Sequence, residues 1–484
     1  MADVADRPGG GRIAPELPSR NLPGVEYRDL PEPVPLRKIV GASVIILATA
    51  LGSGELIIWP YITTQVGIGL LWLAAVGFTV QFFIDMEVER YTLATGETAV
   101  TGFTRFWKPW GVIFILGAIL PNAWPGWATS GATLLTFTFG LGQGARVPIA
   151  IIALVAIGIA LTLSPVIYQT VEKVEMVLIA IVLIFLVTAL VIATDAASWG
   201  GVVTRAPEGV ANFFQSAQLI GAATLLGAIA FAGAGGANNL VQSNYIRDKQ
   251  MGMGERIPRI VSPITGEEEA EPSLGYVFET NEENMRRWKA WWRVANQEHF
   301  ITFLLLGLLS LIALSVLVYA TVGVQDLGRD LDFVRAEGDV LKETIAPWFG
   351  TFFYIAGFAV LFSTNIGIID YVSRLTADSL KVTFLRESEF WSESKIYVTV
   401  AWLLIVAGSI IMLTVSSQPL VLLIISSAGG GVLMFLYSGM LIVLNRRALP
   451  DPIKLKSWRL WAMWFSFLFF GALSGFLLYS FLAG

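Results

Sequence analysis

The sequence predicts an all-α polytopic membrane protein with eleven transmembrane helices. Of the 484 residues, 55% are hydrophobic and only 14% are charged, which is too apolar for a soluble domain. Several apolar runs reach the ~20 residues needed to span a bilayer. The predicted spans lie near 38–58, 67–88, 110–139, 147–165, 175–194, 214–244, 299–321, 348–371, 396–415, 418–442 and 459–481.

Basic residues predict how the chain is oriented in the membrane. With the N-terminus inside, the 32 Lys and Arg residues all fall in cytoplasmic segments except Arg146, Arg205, Arg329, Arg335 and Lys342. Enrichment of basic residues on the cytoplasmic side is the usual pattern in membrane proteins. We therefore expect a multi-pass protein of the plasma membrane with a cytoplasmic N-terminus. Because the number of spans is odd, the C-terminus is expected outside.

The segments outside the spans predict three parts of the chain. Residues 1–36 are rich in Pro, Gly and Arg and lack an apolar period, which predicts a disordered cytoplasmic tail. Residues 37–445 form the predicted transmembrane core, which includes a long cytoplasmic loop at 246–298. Residues 446–484 supply a linker and the additional eleventh helix.

Tryptophans in the long loop indicate a further helix. Trp288, Trp291, Trp292 and Ala295 share one helical face, with basic residues elsewhere. This pattern favours an interfacial helix that lies in the membrane plane, and the alternative is an ordinary cytoplasmic extension of span seven. His299 follows at the start of that span and is predicted to be an interfacial residue.

The composition also excludes several kinds of chemistry. The chain has no cysteine and one histidine, so disulfides and thiolate metal sites are absent and a His-based zinc site or catalytic triad is disfavoured. The phosphate-binding pattern G-x-x-x-x-G-K-[ST] does not occur, which argues against ATP-driven transport. We expect no enzymatic activity, no cofactor and no nucleic-acid partner. The expected surroundings are the lipid bilayer.

The sixth predicted span contains a cluster of glycines. Phe231–Asn239 reads F-A-G-A-G-G-A-N-N, and each glycine in a helix costs about 1 kcal/mol relative to alanine. The cluster therefore predicts that the helix opens there. An opened helix is tolerated within a membrane where it lines a cavity or a binding site. Close packing of helices through small residues is the alternative interpretation.

The first predicted span contains a similar break next to an acidic residue. Leu51–Pro60 reads L-G-S-G-E-L-I-I-W-P, in which Gly52 and Gly54 flank Ser53 and Glu55 follows. An ionised glutamate at this depth costs several kcal/mol unless it is paired, protonated or facing water. A functional carboxylate at the break is one interpretation. A structural carboxylate hydrogen-bonded between helices is the other.

Breaks in spans one and six predict an inverted repeat. They are five spans apart, as expected for two five-helix repeats, about 38–195 and 214–442, with discontinuous helices 1 and 6. The substrate site would then lie at the midplane between the repeats. Its predicted residues are Gly52, Ser53, Gly54, Glu55, Gly233, Gly236, Asn238 and Asn239, and Asn122, Trp124 and Asn365 are candidates for lining the cavity.

Several motifs resemble those of the Nramp family of divalent-metal transporters. These are G-A-S-V-I-I-L-A-T-A-L-G-S-G-E in span one, G-I-G-L-L-W-L and L-A-T-G-E around span two, Y-Q-T-V-E-K-V-E at Tyr168–Glu175, N-L-V-Q-S after the second break, and L-N-R-R-A-L at Leu444–Leu449. The resemblance covers most of residues 38–480. It implies the leucine-transporter fold and import of manganese or iron with protons.

The motifs that supply the metal ligands in this family are not present in this sequence. Its first-span D-P-G-N corresponds to Gly52–Glu55, so the ligand aspartate is absent and Glu55 takes the place of the ligand asparagine. Its sixth-span M-P-H corresponds to Gly236–Asn238, so the thioether ligand is absent, and its later histidine falls at Ser243. The carboxylates expected in span three are missing from Ile119–Ser130, which reads I-L-P-N-A-W-P-G-W-A-T-S.

These departures predict an altered substrate preference. Loss of a thioether and gain of a carboxylate favour oxygen-loving cations such as Mg²⁺, Ca²⁺ or Mn²⁺, with Glu55 and Asn238 as candidate metal ligands. We expect a secondary active transporter for a divalent cation with a harder preference than the manganese and iron transporters, with a proton as a candidate coupling ion. A transporter of a small organic solute is the alternative, and a channel or sensor is a further one.

Overall fold

The structure, a computed structural model, describes residues 13–36, 51–164, 167–257, 274–328 and 331–483. Within these ranges, nine helices are long and apolar enough to cross a membrane, or ten if one bent pair forms a single span. The predicted count of eleven is not confirmed. Much of the first predicted span, at residues 37–50, lies outside the described residues.

The first half of the described chain is helical almost throughout. A π-helix at Leu51–Ile58 runs directly into the first α-helix. The helices are α1 (Trp59–Val66), α2 (Leu71–Thr95), α3 (Ala99–Phe106), α4 (Pro109–Asn122), α5 (Gly126–Phe139), α6 (Arg146–Leu163), α7 (Ile167–Ala193), α8 (Ala196–Thr204), α9 (Ala206–Ala211), α10 (Phe213–Ile220), α11 (Ala222–Ala230) and α12 (Gly236–Asp248).

The second half contains the longest helices. They are α13 (Glu282–His299), α14 (Leu308–Thr321), α15 (Asp332–Thr344), α16 (Pro347–Thr383), α17 (Glu393–Thr414), α18 (Pro419–Arg447) and α19 (Trp458–Ala483). A π-helix at Phe300–Gly307 joins α13 to α14. The three together form one helix of 40 residues, Glu282–Thr321.

Helices α2 and α16 form the centre of the bundle. Both are buried on nearly all sides, although each also carries buried polar and charged side chains. α2 ends at Gly96, whose φ of 71° gives a left-handed cap. α16 begins with Pro347 in its first turn, where the missing amide hydrogen removes no helical hydrogen bond. α19 is the least buried span and packs at the periphery.

The sixth predicted span is made of short pieces. α10 and α11 meet at Gly221 with a bend of 101°, and Gly221 has a φ of 84°. Because α11 has nine residues, it is too short to cross a bilayer alone, for which ~20 residues are needed. Five non-helical residues, Phe231–Gly235, separate it from α12.

The prediction of an in-plane interfacial helix is wrong. α13 is a helical extension of span seven, since it continues through Phe300–Gly307 into α14. Its tryptophans face protein: Trp288 and Trp291 are buried, and the Trp291 indole N–H donates to the Pro31 carbonyl at 2.9 Å. The apolar face therefore packs against the N-terminal segment.

Residues 13–36 are ordered against the predicted cytoplasmic ends of the helices, unlike the disordered tail predicted for 1–36. Their apolar side chains, such as Leu17 and Leu30, are buried. Their main chain is held by side chains of the core: Arg105 donates to the Pro18 carbonyl at 3.0 Å, and the Asn284 amide oxygen accepts from the Leu30 N–H at 3.0 Å. Residues 1–12 lie outside the described residues.

Candidate functional site

The break in span six is confirmed. The chain leaves the helix after Ala230 and re-enters it at Gly236. Gly233, Gly235 and Gly236 have φ angles of 114°, 66° and 55°, a region that side chains with a Cβ rarely adopt. The glycine cluster thus opens the helix because it alone allows this main-chain path.

Gln81 of α2 holds the open segment in place. Its Nε2 donates to the carbonyls of Ile229, Ala230 and Ala232 at 3.2, 3.0 and 2.6 Å. Its Oε1 accepts from the Gly235 N–H at 2.9 Å. One buried amide therefore satisfies main-chain groups that the broken helix leaves without helical partners. The sequence analysis missed Gln81, although a glutamine in the apolar α2 is a visible signal.

Two further side chains fix the pieces on either side of the break. The Trp59 indole N–H donates to the Ala228 carbonyl at 2.8 Å, which ties α1 to α11. The Tyr437 hydroxyl donates to the Gly236 carbonyl at 2.9 Å, which ties α18 to α12. The break is thus a defined conformation supported by three neighbouring helices.

The glycines of the first span allow close approach to the break. The predicted break of span one is not seen in the described residues, since Gly52 and Gly54 lie in a π-helix that runs directly into α1. A Cβ on Gly54 would lie 1.6 Å from the Phe231 carbonyl oxygen, and one on Gly52 would lie 1.6 Å from Thr364 Oγ1 of α16. These residues are therefore positions of direct main-chain contact. The Ser53 side chain is outside the described part of the structure.

Glu55 points a buried carboxyl group at this contact. It has no exposed surface, and neither carboxyl oxygen has a hydrogen-bond partner among the described residues. Buried polar atoms are nearly always paired, so the unpaired oxygens make Glu55 a candidate ligand-binding residue.

The two asparagines begin α12 directly after the break. Asn238 is fully buried, and its amide oxygen and nitrogen both have no partner within the described ranges. Asn239 donates to Gln81 Oε1 at 3.4 Å, and its own oxygen has no partner there. The structure thus brings the Glu55 carboxyl group to the break and places the Asn238 and Asn239 amides one turn beyond it.

The candidate cavity residues have other contacts. Asn122 accepts from the Tyr371 hydroxyl at 2.7 Å and so bridges α4 and α16. Asn365 donates to the Leu361 carbonyl of its own helix at 2.7 Å. Trp124 is half-buried in the turn between α4 and α5. Trp127, in the first turn of α5, packs on the Phe231 ring with 5.9 Å between centroids and lies closer to the break.

A second buried polar cluster extends from the break along α2. His299 Nε2 lies 3.1 Å from Asp85 Oδ2, and His299 Nδ1 lies 3.6 Å from Glu89 Oε1. Gln242 of α12 donates to Glu89 at 2.7 Å. The prediction that His299 is interfacial is wrong, because its helix begins at Glu282 and His299 is fully buried.

Comparison with known proteins places the chain in a family. The family model described as natural resistance-associated macrophage protein-like, Nramp, matches residues 44–480. The chain belongs to the Nramp family. No curated protein sequence matches it significantly.

Solved structures give the fold of this Nramp protein. A mutant of the Eremococcus coleocola manganese transporter is similar, with a TM-score of 0.66 and 13% identity over 91% of this chain and 85% of that one. The same transporter in complex with an aromatic bis-isothiourea compound gives a TM-score of 0.63 at 13% identity, with the same coverage. MhsT in complex with L-phenylalanine gives 0.52 at 15% identity, over 92% of this chain and 98% of that one. The predicted leucine-transporter fold is confirmed.

A network of ion pairs fixes the far end of α12 in this Nramp protein. Arg247 lies 2.5 Å from Asp378 and 3.1 Å from Glu393. Arg374 pairs with Asp370 at 2.8 Å and also with Asp248. These pairs join α12, α16 and α17 on the predicted cytoplasmic side of the site. A path from the site to the cytoplasm through this region would have to break them.

Proposed function

We propose that this Nramp-family protein is a secondary active transporter of a divalent cation that prefers oxygen ligands. The observation that carries the proposal is the pair of buried, unpaired groups beside the helix break, the Glu55 carboxyl group and the Asn238 amide. A buried carboxylate needs a positive partner, and a cation between these oxygens would supply it. Glu55 and Asn238 are the proposed metal ligands.

The available ligand atoms favour a hard cation. Among the described residues, no three His, Cys, Asp or Glu side chains converge on a metal-sized position. A cation would therefore be held by one carboxylate, side-chain amides and main-chain carbonyls freed by the break. Such all-oxygen sets suit Mg²⁺, Ca²⁺ and Mn²⁺ better than late transition metals. Gly236, at the position where the resembling motif has methionine, supplies no sulfur.

The similar structures support cation transport as the class of activity. One is named as a manganese transporter, and its fold is shared over most of both chains. We place the substrate between two inverted repeats, about 38–195 and 214–442, with Gly52, Ser53, Gly54, Gly233, Gly236 and Asn239 around the two ligands. The expected location is the plasma membrane, with the N-terminus inside and the C-terminus outside.

A small organic solute is the second candidate substrate. The Trp127 indole N–H is buried beside Phe231 and has no acceptor within the described ranges. An aromatic ring with a free donor and two asparagine amides could bind a polar organic molecule. In this second candidate function, the Glu55 carboxylate would bind an amine group of the substrate in place of a metal ion.

A ligand screen followed by transport measurements tests both candidates. Purified protein is titrated with Mg²⁺, Ca²⁺, Mn²⁺ and Cd²⁺, and then with amino acids, while the unfolding midpoint is recorded. A ligand at 100 times its Kd stabilises the folded state by about 2.7 kcal/mol. We expect stabilisation by the hard cations. Tight, saturable binding of Cd²⁺, which favours sulfur, would contradict the ligand assignment.

Glu55→Gln then tests the site itself. The substitution keeps size and hydrogen bonding but removes the charge, so we expect folded protein that has lost cation uptake or its pH dependence. Glu337→Gln is the matched control, since Glu337 is also buried but lies in α15, away from the break. Normal uptake by folded Glu55→Gln protein at every pH tested would make Glu55 structural.

A further inference from the structure

A row of polar side chains runs along one face of α2. Gln81, Asp85 and Glu89 follow one another at intervals of four residues, which places them on the same side of the helix. With a rise of 1.5 Å per residue, the row is about 12 Å long. It begins at the helix break, where Gln81 binds the main chain, and extends toward the predicted cytoplasmic side.

His299 occupies the gap between the two carboxyl groups of this row. One ring nitrogen lies 3.1 Å from Asp85, and the other lies 3.6 Å from Glu89. The ring is stacked on Phe82 and on Phe303, with centroid distances of 5.7 and 4.6 Å. The two phenyl rings hold the imidazole in the plane that directs each nitrogen at one carboxyl group.

Burying these three ionisable side chains inside a membrane carries a large free-energy cost. Asp85, Glu89 and His299 are all fully buried, and ionisable groups at this depth usually serve transport or proton transfer. Asp85 Oδ1 and Glu89 Oε2 have no hydrogen-bond partner in the described part of the chain. A cluster that served packing alone would be expected to pair these oxygens.

We propose that Asp85, His299 and Glu89 form a proton-transfer chain between the helix break and the cytoplasmic side. The inference rests on the proposed function, in which transport is driven by an ion gradient, and it assigns a path for the proton to these three residues. Neutral imidazole has one donor and one acceptor nitrogen, and its charge changes near neutral pH. It can therefore receive a proton from one carboxyl group and give another to the second.

The transfer is balanced in atoms and charge. The O–H bond of Asp85 breaks as an N–H bond forms at His299 Nε2, which gives an imidazolium between two carboxyl groups. The N–H bond at Nδ1 then breaks as an O–H bond forms at Glu89 Oε1. The imidazole ends in its other tautomer, and the first one is restored when Nδ1 takes up a proton and Nε2 releases one, with no net change in the charge of the ring.

Other charged and titratable groups surround the chain and set its electrostatic field. On α2 itself, Glu87 and Arg90 form a pair at 2.7 Å. The remaining groups are Glu298 on α13, Tyr437 on α18 and Arg459 on α19. Arg459 is the most exposed of these cations, with 17% of its side chain accessible.

Infrared spectroscopy tests the chain without a transport assay. Purified wild-type protein is compared with Asp85→Asn and Glu89→Gln while the pH is changed from about 5 to about 8, the range in which histidine titrates. We expect a carboxylic acid carbonyl band that changes with pH and is absent from at least one of the two variants. If both variants retain every pH-dependent carboxyl band of the wild type, the chain is not a proton carrier.

Transport in liposomes supplies the second measurement. Mn²⁺ is the probe cation, and a trapped pH-sensitive dye reports proton entry. We expect His299→Gln and Glu89→Gln to reduce proton entry at least about a hundredfold, the low end of the contribution of a positioned acid or base, while Mn²⁺ still enters down its own gradient. Glu89→Asp, which keeps the carboxyl group but shortens the side chain, should be intermediate. It also provides a test if His299→Gln does not fold.

The outcomes separate the two proposals. If the wild type carries Mn²⁺ with no proton entry, or if His299→Gln and Glu89→Gln move protons as the wild type does, the chain is refuted and cation transport stands. If no cation is carried but the infrared band is lost from the variants, cation transport is refuted and the proton-binding chain stands.

Discussion

Replacing Gln81 with leucine is expected to collapse the helix break. Among the described residues, Gln81 is the only hydrogen-bond partner of the Ala232 carbonyl and of the Gly235 N–H. Leucine has a similar volume but offers neither a donor nor an acceptor. The substitution would therefore leave at least two buried main-chain groups unsatisfied, in a segment that has no water to replace the lost partner.

The expected loss of folding free energy follows from those two main-chain groups. A buried donor or acceptor left without a partner costs about 1–3 kcal/mol, so Gln81→Leu should destabilise the folded protein by roughly 2–6 kcal/mol. The remaining carbonyls of Ile229 and Ala230 lie at the end of α11 and add to the upper part of that range. Uptake should fall as well, because the open segment carries the Asn238 and Asn239 amides that follow it.

The assay is unfolding of the purified protein in mixed micelles, followed by tryptophan fluorescence, together with cation uptake into liposomes. Gln65→Leu is the matched control, because Gln65 is half-buried in α1 and its side-chain nitrogen has no partner in the described ranges. Its effect should stay within about 0.5 kcal/mol. If Gln81→Leu were as stable and as active as the Gln65→Leu protein, Gln81 would not be what holds the break.

Three further substitutions probe the packing and the charges. Gly54→Ala places a Cβ 1.6 Å from a main-chain oxygen of the break and should abolish uptake, whereas Gly144→Ala, which meets nothing within 4 Å, should behave like the wild type in the same assay. Burial raises the pKa of Glu337 from 4.5 to about 8. Because the folded state then binds the proton more tightly than the unfolded chain, stability is highest below about pH 4.5 and falls as the pH rises to about 8. Glu337→Gln should remove that slope from a series of unfolding midpoints. Burial alone would raise the pKa of Glu97, but the guanidinium of Arg105 holds it below its ordinary value. Glu97→Gln leaves that buried cation unpaired and should destabilise the protein by about 3–5 kcal/mol, measured by the same unfolding experiment.

Each of these expectations has a clear contrary result. An active Gly54→Ala protein would show that the first span does not contact the break at this position. A pH slope that persists in Glu337→Gln would assign it to another group. A Glu97→Gln protein as stable as the wild type would mean that the pair with Arg105 contributes nothing net.

The sequence was sufficient to place the break in span six. Three glycines within four residues make a continuous helix costly, and the structure leaves the helix at that point because glycine readily adopts their positive φ angles, which other residues rarely do. The π-helical conformation of Leu51–Ile58 was not predictable in the same way. A glycine pair signals weak helix propensity but does not distinguish a break from a wider helical turn.

The polar cluster on α2 was harder to foresee, because its parts are distant in the sequence. The four-residue spacing of Gln81, Asp85 and Glu89 is visible, but their partner His299 comes more than 200 residues later. The depth of His299 depends on where its helix begins. Hydropathy placed that start at residue 299, whereas the polar turns from Glu282 onward are helical as well, and this moves His299 into the interior.

The order of the N-terminal segment could not be predicted from sequence periodicity, for a different reason. Residues 13–36 have no helical or strand period, so their sequence resembles a disordered tail. They are held through main-chain carbonyls that accept from Arg105, Arg287 and Trp291. Such contacts leave no periodic trace in the segment itself, because the specific side chains belong to the partner helices.

The position of His299 has a practical consequence for spectroscopy. It is the only histidine among the 484 residues, so isotopic labelling of histidine would give the signals of a single imidazole, held between Phe82 and Phe303. The ring nitrogen shifts of that one residue would report its tautomer directly, with no assignment step. A polyhistidine purification tag would hide those signals, so the protein is best prepared with a different tag or with one that is cleaved.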